Sequence, residues 1–132
     1  MNSRTDKIPA GRILVVDDQE NLCWVLARVL SERGHVVRTA QTVAEALRVA
    51  SAFDCQVAIV DYRLPDGSGT DLIERLRACA PRTRLILMTS YGSPALREQA
   101  QGLALHAFFD KPFVNALMVD SVEAALLAWE GA

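Results

Sequence analysis

Ile13-Leu14-Val15-Val16-Asp17-Asp18 is the stretch whose reading decides the fold. Its apolar residues, mostly β-branched, run without alternation and stop abruptly at two aspartates, as a strand buried on both faces does. Such a strand belongs in a parallel sheet covered by helices, and the residues that follow supply the first of them. From Gln19 to Arg33, Leu22, Val25, Leu26, Val29 and Leu30 recur at the spacing of one helical face, and Gly34 follows as a stop.

The alternation continues outward. His35 to Ala40 reads as a second strand, and Thr42 caps a helix carrying Val43, Ala46, Leu47 and Ala50 on one side. Val57-Ala58-Ile59-Val60 is a third strand, again ending on an aspartate, Asp61. Pro65, Gly67 and Gly69 make residues 62–69 a loop, after which Leu72, Ile73 and Leu76 mark a helix and Pro81 closes the unit. Leu85-Ile86-Leu87-Met88 is a fourth buried strand running into Thr89-Ser90, and a helix starting near Pro94 turns Leu96, Ala100 and Leu103 inward. Ala107-Phe108-Phe109 is the last strand, ending at Lys111-Pro112, and Asn115 to Trp129 the last helix, with Met118, Val122, Ala125 and Trp129 as its inward stripe. Strand and helix alternate strictly through five pairs, which predicts an α/β fold: a doubly wound five-stranded parallel sheet with helices on both faces.

At 132 residues the chain is long enough for one domain and too short for two of ordinary size. A composition of 51% hydrophobic and 23% charged residues excludes collagen-like, linker-like and disordered classes. Fourteen basic against sixteen acidic residues leave a net charge of -2, so no overall positive field holds a nucleic-acid backbone, and direct nucleic-acid binding is not expected. Residues 1–10 read as a flexible polar tail without the apolar stretch of a secretory signal. No run is long enough to cross a bilayer, so a cytoplasmic location without membrane contact is expected. Cys23, Cys55 and Cys79 lack any C-x-x-C pairing and are expected to be buried or half-buried thiols.

In an open parallel sheet, ligands bind outside the carboxyl ends of the strands. Those ends carry Asp17 and Asp18, Asp61, Thr89 and Lys111. Any one of these alone reads as a turn, a cap or a surface loop residue, and the joint arrangement at one rim is what points to chemistry. Converging carboxylates repel unless a hard cation sits among them, and oxygen ligands without His or Cys point to Mg²⁺. Carboxylates, a hydroxyl and an ammonium around one divalent ion are what phosphoryl transfer to an aspartate requires.

The strings Ile13 to Asp18, Val60-Asp61-Tyr62-Arg63-Leu64-Pro65-Asp66-Gly67-Ser68-Gly69, Leu87-Met88-Thr89-Ser90-Tyr91-Gly92 and Asp110-Lys111-Pro112-Phe113 resemble the receiver domain of two-component response regulators. The resemblance spans residues 11–130 and is nearest to receivers of the nitrogen-regulation type of transcriptional activator, through Trp24-Val25-Leu26 and Thr89 to Gly92. It implies the flavodoxin-like strand order 2-1-3-4-5. It further implies that Asp61 accepts a phosphoryl group from a histidine kinase or phosphotransfer protein. By the same resemblance Asp17, Asp18, Asp61 and the Arg63 backbone carbonyl hold Mg²⁺, and Thr89 and Lys111 contact the phosphoryl group. Lys111-Pro112 is then cis, and Thr89 and Phe108 form the switch that alters partner binding through the face of helix four, strand five and helix five. Arg63 and Tyr91, two residues beyond Asp61 and Thr89, flank the approach of hydrolytic water and are expected to prolong the acyl phosphate. Such a domain is a signalling module and not an enzyme beyond its own phosphotransfer and dephosphorylation.

Two rival classes fit less well. A hydrolase working through an aspartyl phosphate needs a second acid-base carboxylate two residues beyond the nucleophile, where Arg63 stands. A flavodoxin-like cofactor binder needs a phosphate loop after the first strand, where Asp17 and Asp18 would repel the ligand. One departure from the family concerns the approach to the last strand, where Ala104-Leu105 replaces the usual Gly-Ala and Gly102 stands two positions early. The last helix also carries surplus apolar residues, Leu117, Val119, Leu126 and Leu127, which predict an interface for a second copy or an output domain. No output segment is recognisable, which leaves a free-standing receiver and a piece of a longer regulator both open.

Overall fold

The computed structural model describes residues 9–129. In chain order its elements are β1 (Arg12–Val16), α1 (Glu20–Glu32), β2 (Val36–Ala40), α2 (Val43–Ala52), β3 (Val57–Asp61), β4 (Arg63–Leu64), β5 (Gly67–Ser68) and α3 (Gly69–Cys79). These are followed by β6 (Arg84–Thr89), α4 (Pro94–Gln101), β7 (Ala107–Asp110) and α5 (Asn115–Ala128). Five strands form one parallel sheet in the order β2-β1-β3-β6-β7. Counted without the small β4-β5 ladder, this is the 2-1-3-4-5 order implied by the resemblance. The ladder is the one departure from an unstructured 62–69 loop: Arg63 pairs with Ser68 and Leu64 with Gly67, antiparallel.

Alternate residues of the inner strands feed two separate apolar layers, as the period of two requires. Leu14, Val16, Ala58, Val60, Leu85 and Leu87 pack with α2, α3 and α4, while Ile13, Val15, Val57, Ile59, Ile86 and Met88 pack with α1 and α5. Local signals set the helix limits. The hydroxyls of Thr42, Ser68 and Ser93 accept the backbone N–H three residues on, and Pro94 occupies the first turn of α4. Gly34 closes α1 at a φ of +94°, a conformation that favours glycine.

Several expectations are corrected in detail. Leu126, expected among the surplus residues of the last helix, is core, and Val119 is half-buried against the same layer. The helix ends at Ala128, with Trp129 half-buried just beyond it. Leu117 and Leu127 do face solvent, exposed to 57% and 62%. Cys23 also joins the buried face of α1, where Leu22, Val25 and Val29 are only half-buried. Cys79 is exposed: it is the last residue of α3, one turn past Leu76, the last buried residue of that helix. The approach to β7 differs as its sequence indicated: Gly102 has an ordinary helical φ of -78°, and the left-handed residue is Ala104, at φ 52°. Residues 1–8 of the expected tail, and Glu130, lie outside the described residues. Among the described residues no helix is long and apolar enough to cross a membrane.

Candidate functional site

The C-terminal ends of the parallel strands gather the charged residues on one rim. Asp17 follows β1 directly, Asp61 ends β3, Thr89 ends β6 and Lys111 follows β7. Carboxylate oxygens of Asp17, Asp18 and Asp61 all lie within 4.8 Å of one another. The Lys111 ammonium reaches into them, with Nζ 2.5 Å from Asp17 Oδ2 and 3.0 Å from Asp61 Oδ1. Asp17 is buried, and its other oxygen accepts the Gln19 backbone N–H at 2.9 Å.

The backbone fixes this arrangement. The Lys111 N–H donates to Thr89 O at 2.8 Å, and the Lys111-Pro112 peptide is cis, as the resemblance implies. The Thr89 hydroxyl, buried, accepts the Tyr91 N–H at 2.9 Å. Tyr62 N–H donates to Met88 O and Gly69 N–H to Tyr62 O, which folds the 62–69 loop back onto β3. Only glycine fits at 69, since a Cβ there would stand 2.2 Å from the Asp61 carbonyl oxygen.

Formally the rim holds three carboxylates against one ammonium, leaving two negative charges. Burial pushes the Asp61 carboxyl up from its ordinary range, the Asp17 charge adds to that, and Lys111 only partly offsets both. Burial opposes the Lys111 charge, yet its bonds to Asp17 and Asp61 outweigh this and hold the ammonium above its ordinary range. An oxygen-only, underneutralised cluster with one exposed member, Asp18, fits a hard divalent cation such as Mg²⁺.

The other expected residues divide between this centre and the layer of α2, α3 and α4. The guanidinium of Arg63 lies 4.1 Å from the centroid of the Tyr91 ring, so the two side chains clasp each other beside the rim. Phe108 stands apart from the carboxylates, half-buried against the layer of α2, α3 and α4, with the Arg97 guanidinium 5.0 Å over its ring. Arg97 also pairs with Asp110. Two residues escaped the sequence reading. Gln19 places its Oε1 3.5 Å from Lys111 Nζ instead of capping α1. Asp66 caps α2 from the far side of the loop, accepting the N–H groups of Val43 and Ala44 at 2.7 and 3.0 Å. No local pattern announces a cap delivered from 23 residues away.

Residues 13–123 match the family model of the response regulator receiver domain. The chain belongs to that family. The receiver is 39% identical over 100 residues to the photosynthetic apparatus regulatory protein RegA of Cereibacter sphaeroides, covering 76% of this chain and 54% of that one. It is 36% identical over 123 residues to the acid tolerance regulatory protein ActR of Rhizobium meliloti, covering 93% and 61%. It is 32% identical over 117 residues to the DNA-binding transcriptional regulator NtrC of Azospirillum brasilense, covering 89% and 24%. The nitrogen-regulation kinship is therefore shared with regulators of other outputs, and the receiver spans between 24% and 61% of the length of these relatives. Among solved structures, a CheY-like receiver from Methanospirillum hungatei superposes with a TM-score of 0.87 at 26% identity, covering 92% of this chain and 97% of that one. The receiver of HemR from Leptospira biflexa superposes with a TM-score of 0.79 at 30% identity, covering 88% and 94%. The receiver is thus a signalling domain of two-component systems.

Proposed function

We propose that Asp61 accepts a phosphoryl group from the phosphohistidine of a kinase or phosphotransfer protein. A carboxylate oxygen of Asp61 attacks phosphorus, the P–N bond breaks, and the donor imidazole leaves and takes up a proton. The observation that carries this reading is the meeting of Lys111 with Asp17 and Asp61 at the sheet rim. Asp17, Asp18, Asp61 and the Arg63 backbone carbonyl would hold Mg²⁺, which when bound supplies charge neutralisation for the phosphoryl oxygens. Lys111 then moves from Asp17 to the phosphoryl group, and the Thr89 hydroxyl binds another of its oxygens. Thr89 and Phe108 carry the change to the face made by α4, β7 and α5, and the readout is altered binding of a second copy or an output domain. The exposed Leu117 and Leu127 of α5 support that face as a contact surface. The domain itself works in the cytoplasm and makes no contact with nucleic acid.

Incubation with acetyl phosphate and Mg²⁺ followed by intact mass measurement tests the reading. The wild type gains one phosphoryl group, and Asp61→Asn, nearly isosteric, stays folded and gains none. Full phosphorylation of that variant overturns the assignment.

A further inference from the structure

A second charged constellation lies at the opposite end of the sheet, where β6 and β7 begin. From Arg75 to Arg97 the chain carries five arginines and not one carboxylate, within a protein whose net charge is -2. Folding brings Arg77, in the last turn of α3, Arg82, in the loop after it, Arg84, at the start of β6, and His106, just before β7, around one pocket of about 190 Å³. Thr83 and Ala104 complete the lining that matters here.

Two of these guanidinium groups are aimed by neutral acceptors and not by acids. Arg77 donates from Nε and Nη2 to Leu103 O at 3.1 and 2.6 Å, and from Nη2 to Ala104 O at 2.7 Å. Arg84 donates from Nη2 to Ala128 O at 2.8 Å. Carbonyl bonds fix where a guanidinium points without cancelling its charge. Each group keeps its Nη1 unbonded among the described residues, and neither meets a carboxylate there. A rigid fork of N–H donors suits bidentate recognition of oxyanions. Arg77 and Arg84, which meet no carboxylate among the described residues, line one pocket, so the fitting ligand carries more than one negative charge. The volume is that of roughly six water molecules, enough for a phosphoryl or pyrophosphoryl group, and below the ~300 Å³ at which pockets for whole small molecules begin.

We propose that Arg77, Arg82, Arg84 and His106 form an oxyanion site for a phosphoryl or pyrophosphoryl group, distinct from the rim that carries Asp61. It does not depend on Asp61 being a phospho-acceptor. The test is titration of pyrophosphate into the full chain in Mg²⁺-free buffer, followed by amide NMR. Saturable shifts confined to Leu85, Ala104, His106 and their neighbours are expected, with half-saturation at or below about 1 mM. Arg84→Gln should weaken binding roughly tenfold while Arg84→Lys retains part of it, because charge without the fork is a poorer match. Arg82→Gln, at an exposed loop position, should likewise weaken binding, with thermal unfolding as the check that the fold persists. ATP binding as tightly as pyrophosphate would name the phosphoryl end of a nucleotide as the ligand, and weaker ATP binding the free anion. Asp61→Asn should bind pyrophosphate like wild type, so this site and the acceptor reading fail separately. Shifts absent to about 10 mM, shifts scattered over the whole basic surface, or undiminished binding by Arg84→Gln would overturn the site.

Discussion

The Arg63 guanidinium lies 4.1 Å from the Tyr91 ring centroid, and if the pair shields Asp61 as expected from its place in the sequence, weakening the stack should expose the acceptor. An exposed stack of this kind contributes about 0.5–1 kcal/mol, so Arg63→Asn or Tyr91→Ala should speed loss of the acyl phosphate by roughly two- to fivefold. Decay followed by intact mass after removal of acetyl phosphate checks this, and an unchanged half-life in both variants refutes the clasp. Asp61 makes a prediction of its own. Burial and the Asp17 charge raise its carboxyl above 3.8, so the folded chain takes up this proton more readily than the unfolded one. The stability due to that proton is complete below the ordinary value and lost as pH rises through the raised one. Metal-free Asp61→Asn should therefore melt above wild type at neutral pH, and the gap should close on acidification. Calorimetric scans across pH measure both. Asp17, Asp18, Asp61, Thr89 and Lys111 were legible because each stands at or just beyond the end of an apolar strand, so sequence position alone placed them on one rim. Asp66 and Gln19 were not, because their partners depend on how a loop and a helix meet in space.

Helix ends and helix contacts hold the next set of consequences. Ala104 adopts the left-handed φ of 52° that its missing glycine would have taken without strain. Ala104→Gly should stabilise the domain by about 0.5–1 kcal/mol and raise the melting temperature by a few degrees, as measured by thermal unfolding. The second joint ties α5 to the start of β2. Glu123, buried, accepts from Arg33 Nη2 at 2.6 Å and Nε at 3.0 Å, and lies 3.0 Å from His35 Nε2. His35 Nδ1 accepts the Gly11 N–H, so in this bonding pattern the ring proton sits on Nε2 and is given to Glu123. Burial pushes the Glu123 carboxyl up, but the bonds from Arg33 and His35 prevail and hold it below its ordinary value of 4.5. Its stabilisation is present above that value and lost as pH falls through the lowered one. Glu123→Gln should flatten the acid limb of the stability curve and cost about 1–2 kcal/mol at neutral pH, readable by urea unfolding at several pH values. The periodicity of the last helix announced its apolar residues but not their sides, because α5 is apolar over most of its circumference. Leu126 and Leu127 are neighbours in sequence, and only the position of α1 and β1 decides that the first is core and the second exposed.

At the scale of the molecule, Mg²⁺ binding to the folded state alone should raise the melting temperature with concentration, by RT ln(1 + [L]/Kd). Loss of that dependence in Asp17→Asn would tie it to the rim, and its persistence there would detach it. Leu127→Glu, at a position exposed to 62%, should leave stability within about 0.5 kcal/mol of wild type, as unfolding measures. The two apolar layers have a further consequence. Asp61 shares its side of the sheet with Val57 and Ile59, hence with α1 and α5, whereas Thr89 shares the side of Leu85 and Leu87, hence that of α2, α3 and α4. Between them lies a wall of hydrogen-bonded backbone that no side chain crosses. A group carried on Asp61 and held by Thr89, as proposed, must therefore lean over the top of that wall, which makes the rim the place where one ligand would touch both sides at once.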